Sequence, residues 1–420
     1  MRLVLYAVCA VLAAGVEVEV GAGGAGDSAA ARAPLPALPP NPKFVLYDVG
    51  FGERFNFRKS VFRRVMGAVQ VLAKHAASHG DWVLVVPPFR DTVGGYEKFA
   101  PFGDFMRLDK LRALYPHIID FVDYVRLAGP KVDHVLMPCS EHTLENDTGE
   151  KCVAEVARAA RRIDAEKKTI EHFGVELSYG SLQCLWQPGA RSAELKDAFA
   201  AAADAGAGSI MLEAVEQVRP ADAHKHPYWG MRQHMHFAPV FHAEAARFRA
   251  AFAWAPGAPY IAMHMRRGDF KMAHARKQST QDEVVGLFRR LAEQHSITNF
   301  YVATDAAADE VHSMKEALLA HGIAMEKIEE RDAQLPGGTG GALGSLGFML
   351  VEQIIASQAQ LFVGTDGSHF SKEIHLERRL HQGGGDEFYE NSLSMVGKGE
   401  LIPLCRSWVG GETCEILPLD

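Results

Sequence analysis

An apolar stretch, Tyr260-Ile261-Ala262-Met263-His264-Met265, runs directly into Arg266-Arg267-Gly268-Asp269. Strand ends are where open α/β sheets bind ligands, and an arginine there carries a planar cationic fork suited to phosphate oxygens at any working pH. The chemistry these residues predict is binding of a nucleotide diphosphate. Arg266 would neutralise a departing diphosphate, His264 would donate a hydrogen bond nearby, and Asp269 would orient the basic side chains. A structural ion-pair cluster is the competing reading. A second group, Gly364-Thr365-Asp366-Gly367-Ser368-His369-Phe370-Ser371, follows the apolar Leu361-Phe362-Val363 and precedes a helical pattern. Such a turn aims backbone N–H groups and the positive helix end at an anion, although Asp, Ser and Gly are also ordinary capping residues. A third candidate is Glu53, between a strand and a helix. It could serve as a general base facing a cleft, or simply pair with Arg54 or the helix dipole.

Metal chemistry fits poorly. His224, His226, His234, His236 and His242 include two His-x-His pairs, but Pro227 and Gly230 interrupt the strand geometry that would aim such pairs together. The chain also lacks any Asp-x-Asp triplet, the usual carboxylate pair for a divalent ion on a sugar diphosphate. No metal is expected, and the cationic charge would come from arginine.

The elements that must position these groups follow from periodicity. Lys43 to Val49 reads as a strand, the turn Gly50 to Asn56 follows, and Val61, Val65, Ala68, Val69 and Leu72 share one helical face. Val83 to Val86 is a second buried strand, so a doubly wound unit begins here. The pattern recurs with strands at Tyr260–Met265, 300–304 and 361–363 and helices near 281–295, 306–320 and 343–358. Two Rossmann-like domains, 43–235 and 236–420, are expected.

The 420 residues carry 44 basic and 52 acidic side chains, a formal charge of −8 without long blocks of either sign, which argues against a nucleic-acid surface. Residues 1–22 read as a secretory signal and 23–42 as a disordered Ala/Gly/Pro-rich lead-in, with no other segment long enough to span a membrane. Secretory entry makes disulfides possible. Cys405 with Cys414 and Cys152 with Cys184 are plausible pairs that leave Cys139 over, although spacing alone does not fix connectivity. Asn146-Asp147-Thr148 is a glycosylation sequon in a polar stretch.

Taken in order, Leu46-Tyr47-Asp48-Val49 through Glu53-Arg54-Phe55-Asn56-Phe57-Arg58, then His264-Met265-Arg266-Arg267-Gly268-Asp269-Phe270, then Phe362-Val363-Gly364-Thr365 to Ser368-His369-Phe370-Ser371 resemble the GDP-fucose protein O-fucosyltransferases. The likeness is greatest to the branch that modifies thrombospondin type 1 repeats. The resemblance implies a GT-B-like α/β fold, two Rossmann-like domains facing a cleft. It also implies a monomeric, metal-independent inverting enzyme of the endoplasmic reticulum lumen, with no cofactor. Its substrates would be GDP-β-L-fucose and a Ser or Thr hydroxyl on a folded repeat.

By position, the resemblance makes Glu53 the base and puts Gly52, Glu53, Arg54, Phe55 and Asn56 at the fucose end. His264, Arg266 and Asp269 hold the GDP, with Arg266 on the phosphates; Ser368, His369 and Phe370 form the phosphate turn, and Glu352 accepts from guanine. It pairs the cysteines as Cys152–Cys184 and Cys405–Cys414. Four positions depart from the pattern: Glu352 stands for an aspartate, His369 for a hydroxyl residue, Arg54 for a glycine and Gly268 for a lysine. A different acceptor, such as an EGF-like repeat or a glycan, and a non-catalytic nucleotide-sugar-binding folding sensor are the alternatives.

Overall fold

The computed structural model describes residues 34–48, 55–56, 59, 61–62, 65–66, 69, 82–91, 98–138, 178–185, 201–202, 204–212, 232–268, 279–335, 344–381, 392–396 and 400–403. Among them, one sheet contains β1 (Lys43–Tyr47), β2 (Trp82–Val86), β5 (Ile118–Asp120), β6 (Lys131–Pro138), β7 (Ser178–Leu185) and β8 (Ser209–Leu212). A separate antiparallel hairpin pairs β3 (Phe89–Asp91) with β4 (Lys98–Ala100). The sheet runs β5-β2-β1-β8-β6-β7 with every pair parallel. Parallel strands are covered on both faces, which is why β2 and β8 are buried at every position rather than alternately.

The second sheet contains β9 (Ile261–Met265), β10 (Asn299–Thr304), β11 (Ala324–Glu326), β12 (Leu361–Thr365), β13 (Ser392–Val396) and β14 (Glu400–Pro403). Its order, β11-β10-β9-β12-β13-β14, marches outward from β9 in one direction, returns, and leaves in the other. Only the β13–β14 pair is antiparallel. This is the doubly wound arrangement, and ligands bind at the carboxyl ends where the order reverses, here between β9 and β12. The expected architecture of two Rossmann-like α/β units is the one observed. The helices fall at Gln281–His295, Ala308–Leu319 and Gly344–Ser357, within two residues of the periodicity reading. Val61, Val65 and Val69 are helical and buried, whereas Ala68 and Leu72 lie outside the described residues.

The two units share one apolar core. Val45, Phe62 and Leu84 from the first belong to the same buried cluster as Phe241, Ile354 and Phe362 from the second. Across this seam lies a polar quartet. Lys59 Nζ sits 2.7 Å from Glu373 Oε2 and 3.2 Å from Glu377 Oε1. Arg232 pairs with Glu377 and donates from Nη1 to the Met235 carbonyl at 2.9 Å. All four side chains are between 1% and 3% exposed. Burial, with Arg232 adding to it, holds the Lys59 pKa down against the opposing glutamates. Burial alone would raise Glu377, but Arg232 and Lys59 outweigh it and leave that carboxyl below its ordinary value.

Breaking a buried pair from one side leaves an uncompensated charge. Lys59→Met is therefore expected to cost about 3–5 kcal/mol in chemical denaturation, and adding Glu373→Leu to the same chain should recover much of that loss.

Candidate functional site

The switch point between β9 and β12 brings His264 and Arg266 beside the turn that follows β12. His264, the penultimate residue of β9, is buried, with Nδ1 2.7 Å from Ser371 Oγ and its ring 4.6 Å from that of Phe370. Ser371 Oγ also accepts from the Thr365 backbone N–H at 2.9 Å. The serine hydroxyl thus ties the β12 backbone to the imidazole of His264 through a single oxygen. Burial, reinforced by Arg266, pushes His264 down to about 3, so the ring is a neutral donor rather than a cation. Ser371 was quoted in the sequence motif without a role.

Arg266 leaves the strand with its backbone N–H on Thr365 Oγ1 at 3.0 Å, and Nη1 pairs with Asp305 Oδ2 at 3.0 Å. Asp305 also accepts from the Arg267 backbone N–H at 2.5 Å. Arg267 itself turns away into a buried bond with Glu310 at 2.8 Å and the Ser279 carbonyl at 2.6 Å. The two neighbouring arginines therefore divide: one is partly exposed at the strand end, and the other is structural. The orienting carboxylate expected of Asp269 is supplied, among the described residues, by Asp305 at the end of β10; Asp269 lies outside them. Gly268 leaves room for this pose: a Cβ there would lie 2.8 Å from Asp305 Oδ2, and the carboxylate would have to shift.

The turn after β12 is tight. Gly367 has φ +73°, a conformation that favours glycine, and the Ser368 N–H returns to the Thr365 carbonyl at 3.2 Å. Ser368 is buried, Phe370 is partly buried against the core, and the His369–His381 helix starts at this point. Burial lowers His369, with Lys372 adding to the shift. Glu352 keeps partial contact with solvent near Tyr301, and desolvation pushes its carboxyl up to about 8 against the pull of Lys327. At neutral pH such a group holds a proton until donors or cations stabilise its charge.

On the opposite unit, Gly52, Glu53, Arg54, Asn146 and Cys152 lie outside the described residues, while Cys184 lies on β7; Cys405 and Cys414 of the second unit lie outside them too. Phe55 departs from expectation. Its ring is fully buried, 4.3 Å from Phe89, 5.6 Å from Phe105 and 6.5 Å from Phe237, so the side chain packs the core and only its backbone could meet a ligand. Asn56 instead faces the other unit, its Oδ1 accepting from Gln353 Nε2 at 2.9 Å. Gln353 carried no sequence signal beyond lying next to Glu352.

Residues 44–381 match the family described as GDP-fucose protein O-fucosyltransferase. GDP-fucose protein O-fucosyltransferase 2 of Homo sapiens is 26% identical over 376 residues, covering 80% of this chain and 83% of that protein. The Caenorhabditis elegans protein of the same name is 26% identical over 372 residues, with the same shares of 80% and 83%. Among solved structures, POFUT1 in complex with GDP-fucose has a TM-score of 0.58 at 14% identity, covering 83% of this chain and 97% of that one. That likeness concerns the fold.

The His264 assignment has a measurable consequence. The folded chain refuses a proton that the unfolded chain accepts below about pH 6.5, so this residue subtracts stability as pH falls from there towards about 3. His264→Gln should flatten the slope of unfolding free energy against pH between about 6.5 and 5 relative to the parent chain. Equal slopes in the two chains would show that His264 titrates normally.

Proposed function

Since this chain belongs to the GDP-fucose protein O-fucosyltransferase family, we propose that it transfers fucose from GDP-β-L-fucose to a Ser or Thr hydroxyl of folded thrombospondin type 1 repeats. The transfer inverts the anomeric centre and uses no metal, and the setting is the lumen of the endoplasmic reticulum. The observation that carries the reading is the placement of Arg266 at the β9 end, oriented by Asp305 and adjoining the turn that opens the His369–His381 helix. A fixed guanidinium and a helix N-terminus converging at a switch point suit a diphosphate that gains charge as its sugar bond breaks.

Each residue then has a role. Arg266 and the 365–371 turn hold the phosphates and stabilise departing GDP. His264, neutral, adds a hydrogen bond without adding charge. Glu352 receives the guanine N–H donors, and their approach draws its carboxyl back from its raised value toward ionisation. Glu53 removes the acceptor proton as the hydroxyl oxygen attacks the anomeric carbon; the carbon–phosphate oxygen bond breaks, and a single displacement gives inversion. Arg54, beside Glu53, favours the ionised base. Similarity to the human and nematode proteins named O-fucosyltransferase 2 supports this assignment of substrate class. Among the described residues no helix is long and apolar enough to cross a membrane.

Intact mass of folded thrombospondin and EGF-like repeats after incubation with GDP-fucose tests the acceptor. One added fucose on the thrombospondin repeat alone is expected, and modification of the EGF-like repeat alone would reassign it. Glu53→Ala should retain GDP binding while transfer falls about 10²- to 10⁴-fold. Arg266→Ala should lose GDP binding and transfer together, by about 10²- to 10³-fold. Near-normal transfer by Glu53→Ala would remove that residue as the base.

A further inference from the structure

Gln353 is an uneconomical core residue. It is fully buried on the Gly344–Ser357 helix, and although Nε2 is bonded to Asn56, its Oε1 is buried without a hydrogen-bond partner among the described residues. A leucine there would carry no orphan acceptor, and an unsatisfied buried polar atom is destabilising. The bond it makes crosses between the two units, from a residue 297 positions away in sequence.

The consequence lies at the Asn56 end. An asparagine amide has an acceptor side and a donor side, and which one faces a ligand depends on what engages the other. Gln353 donates to Asn56 Oδ1, so the NH₂ group is what Asn56 can offer to a ligand. Asn56 follows β1 at its carboxyl end, where parallel sheets bind ligands, and it is buried but for 8% of its surface. Consecutive helix residues diverge by about 100°, so Glu352, to which the nucleotide reading gives the guanine, points away from Gln353, which faces the first unit.

We propose that Gln353 is a positioning residue. By holding Asn56 Oδ1, it turns the Asn56 NH₂ donors toward the acceptor oxygens at the sugar end of the nucleotide diphosphate. This rests on the GDP-fucose reading above. It gives the fucose end a donor whose direction is set by the opposite unit, so sugar contact is complete only when both units are in register.

The test compares the full-length parent chain with Gln353→Leu, Gln353→Glu, Asn56→Ala and the Gln353→Leu/Asn56→Ala pair, measuring kcat and KM for GDP-fucose and GDP affinity by calorimetry. Gln353→Leu should lower kcat/KM by about tenfold or more while GDP affinity changes little, because the lost donor serves the sugar end. The double variant should be no worse than Asn56→Ala alone, since a residue acting through another gives a non-additive loss. In Gln353→Glu a protonated carboxyl can donate to Oδ1 as the amide does, whereas an ionised one can only accept and draws the NH₂ toward itself. Its activity relative to the parent should therefore fall as pH rises. Gln353→Met serves in place of Gln353→Leu if the latter does not fold. Parent-like kcat/KM in the apolar variant, additive losses, or a flat pH ratio for Gln353→Glu would each overturn the proposal alone. A parent chain that binds GDP-fucose poorly and transfers nothing would bring down the donor-substrate reading, and this inference with it.

Discussion

Four charges taken out of water hold the two halves of the site in place. Lys59 and Arg232 face Glu373 and Glu377 at 1% to 3% exposure, two cations against two anions, so the set is neutral only when complete. Desolvating four ions is costly, and the cost is offset only if every member finds its partner in one geometry. Such an arrangement specifies position more than it adds stability. Glu373 and Glu377 are four apart, hence on one face of the same helix that opens at the turn after β12. Lys59 lies one helical turn beyond Asn56. Locking these two faces together fixes the turn and Asn56 relative to one another, and the continuous apolar core beneath leaves the seam no easy sliding plane.

Within that frame the electrostatics are selective. Burial keeps His264 neutral and favours the protonated form of Glu352, while Asp305 pairs with Arg266. The result is a single partly exposed guanidinium at the end of β9, bracketed by neutral donors and by helix N-terminal amides. On the proposed function, a dianionic diphosphate would meet preoriented dipoles and one directed charge, with little other ionic competition from His264 or Glu352. This is how a site can stabilise departing phosphate by preorganisation. The contact with Ser371 Oγ matters here as well, because it fixes the plane of the imidazole against the β12 turn.

Much of this was legible from residue order, and the limits have physical causes. β9, β10 and β12 could be read because parallel strands buried on both faces leave unbroken apolar runs, and their polar ends then stand out. Periodicity says nothing about which strand end lies beside which. Asp305 therefore stayed invisible as the partner of Arg266, 39 positions away across β9 and β10. Lys59, Arg232, Glu373 and Glu377 would each pass for a solvated helix charge, and only the fold shows them buried together. Phe55 erred the other way. Its place beside the expected base suggested ligand contact, but a phenyl ring flanked by Phe89, Phe105 and Phe237 lowers its free energy by packing.

One departure from the resembled pattern has a geometric counterpart. Gly268 occupies a position where the resemblance has a lysine, and here a Cβ would come within 2.8 Å of Asp305 Oδ2. The carboxylate lies at the end of a side chain, so a residue there would displace it from its present pose, in which Asp305 reaches both Arg266 Nη1 and the Arg267 N–H. A lysine in that place would compete with the arginine for the same carboxylate. The glycine therefore exchanges a second cation for an undisturbed pairing that sets the direction of Arg266.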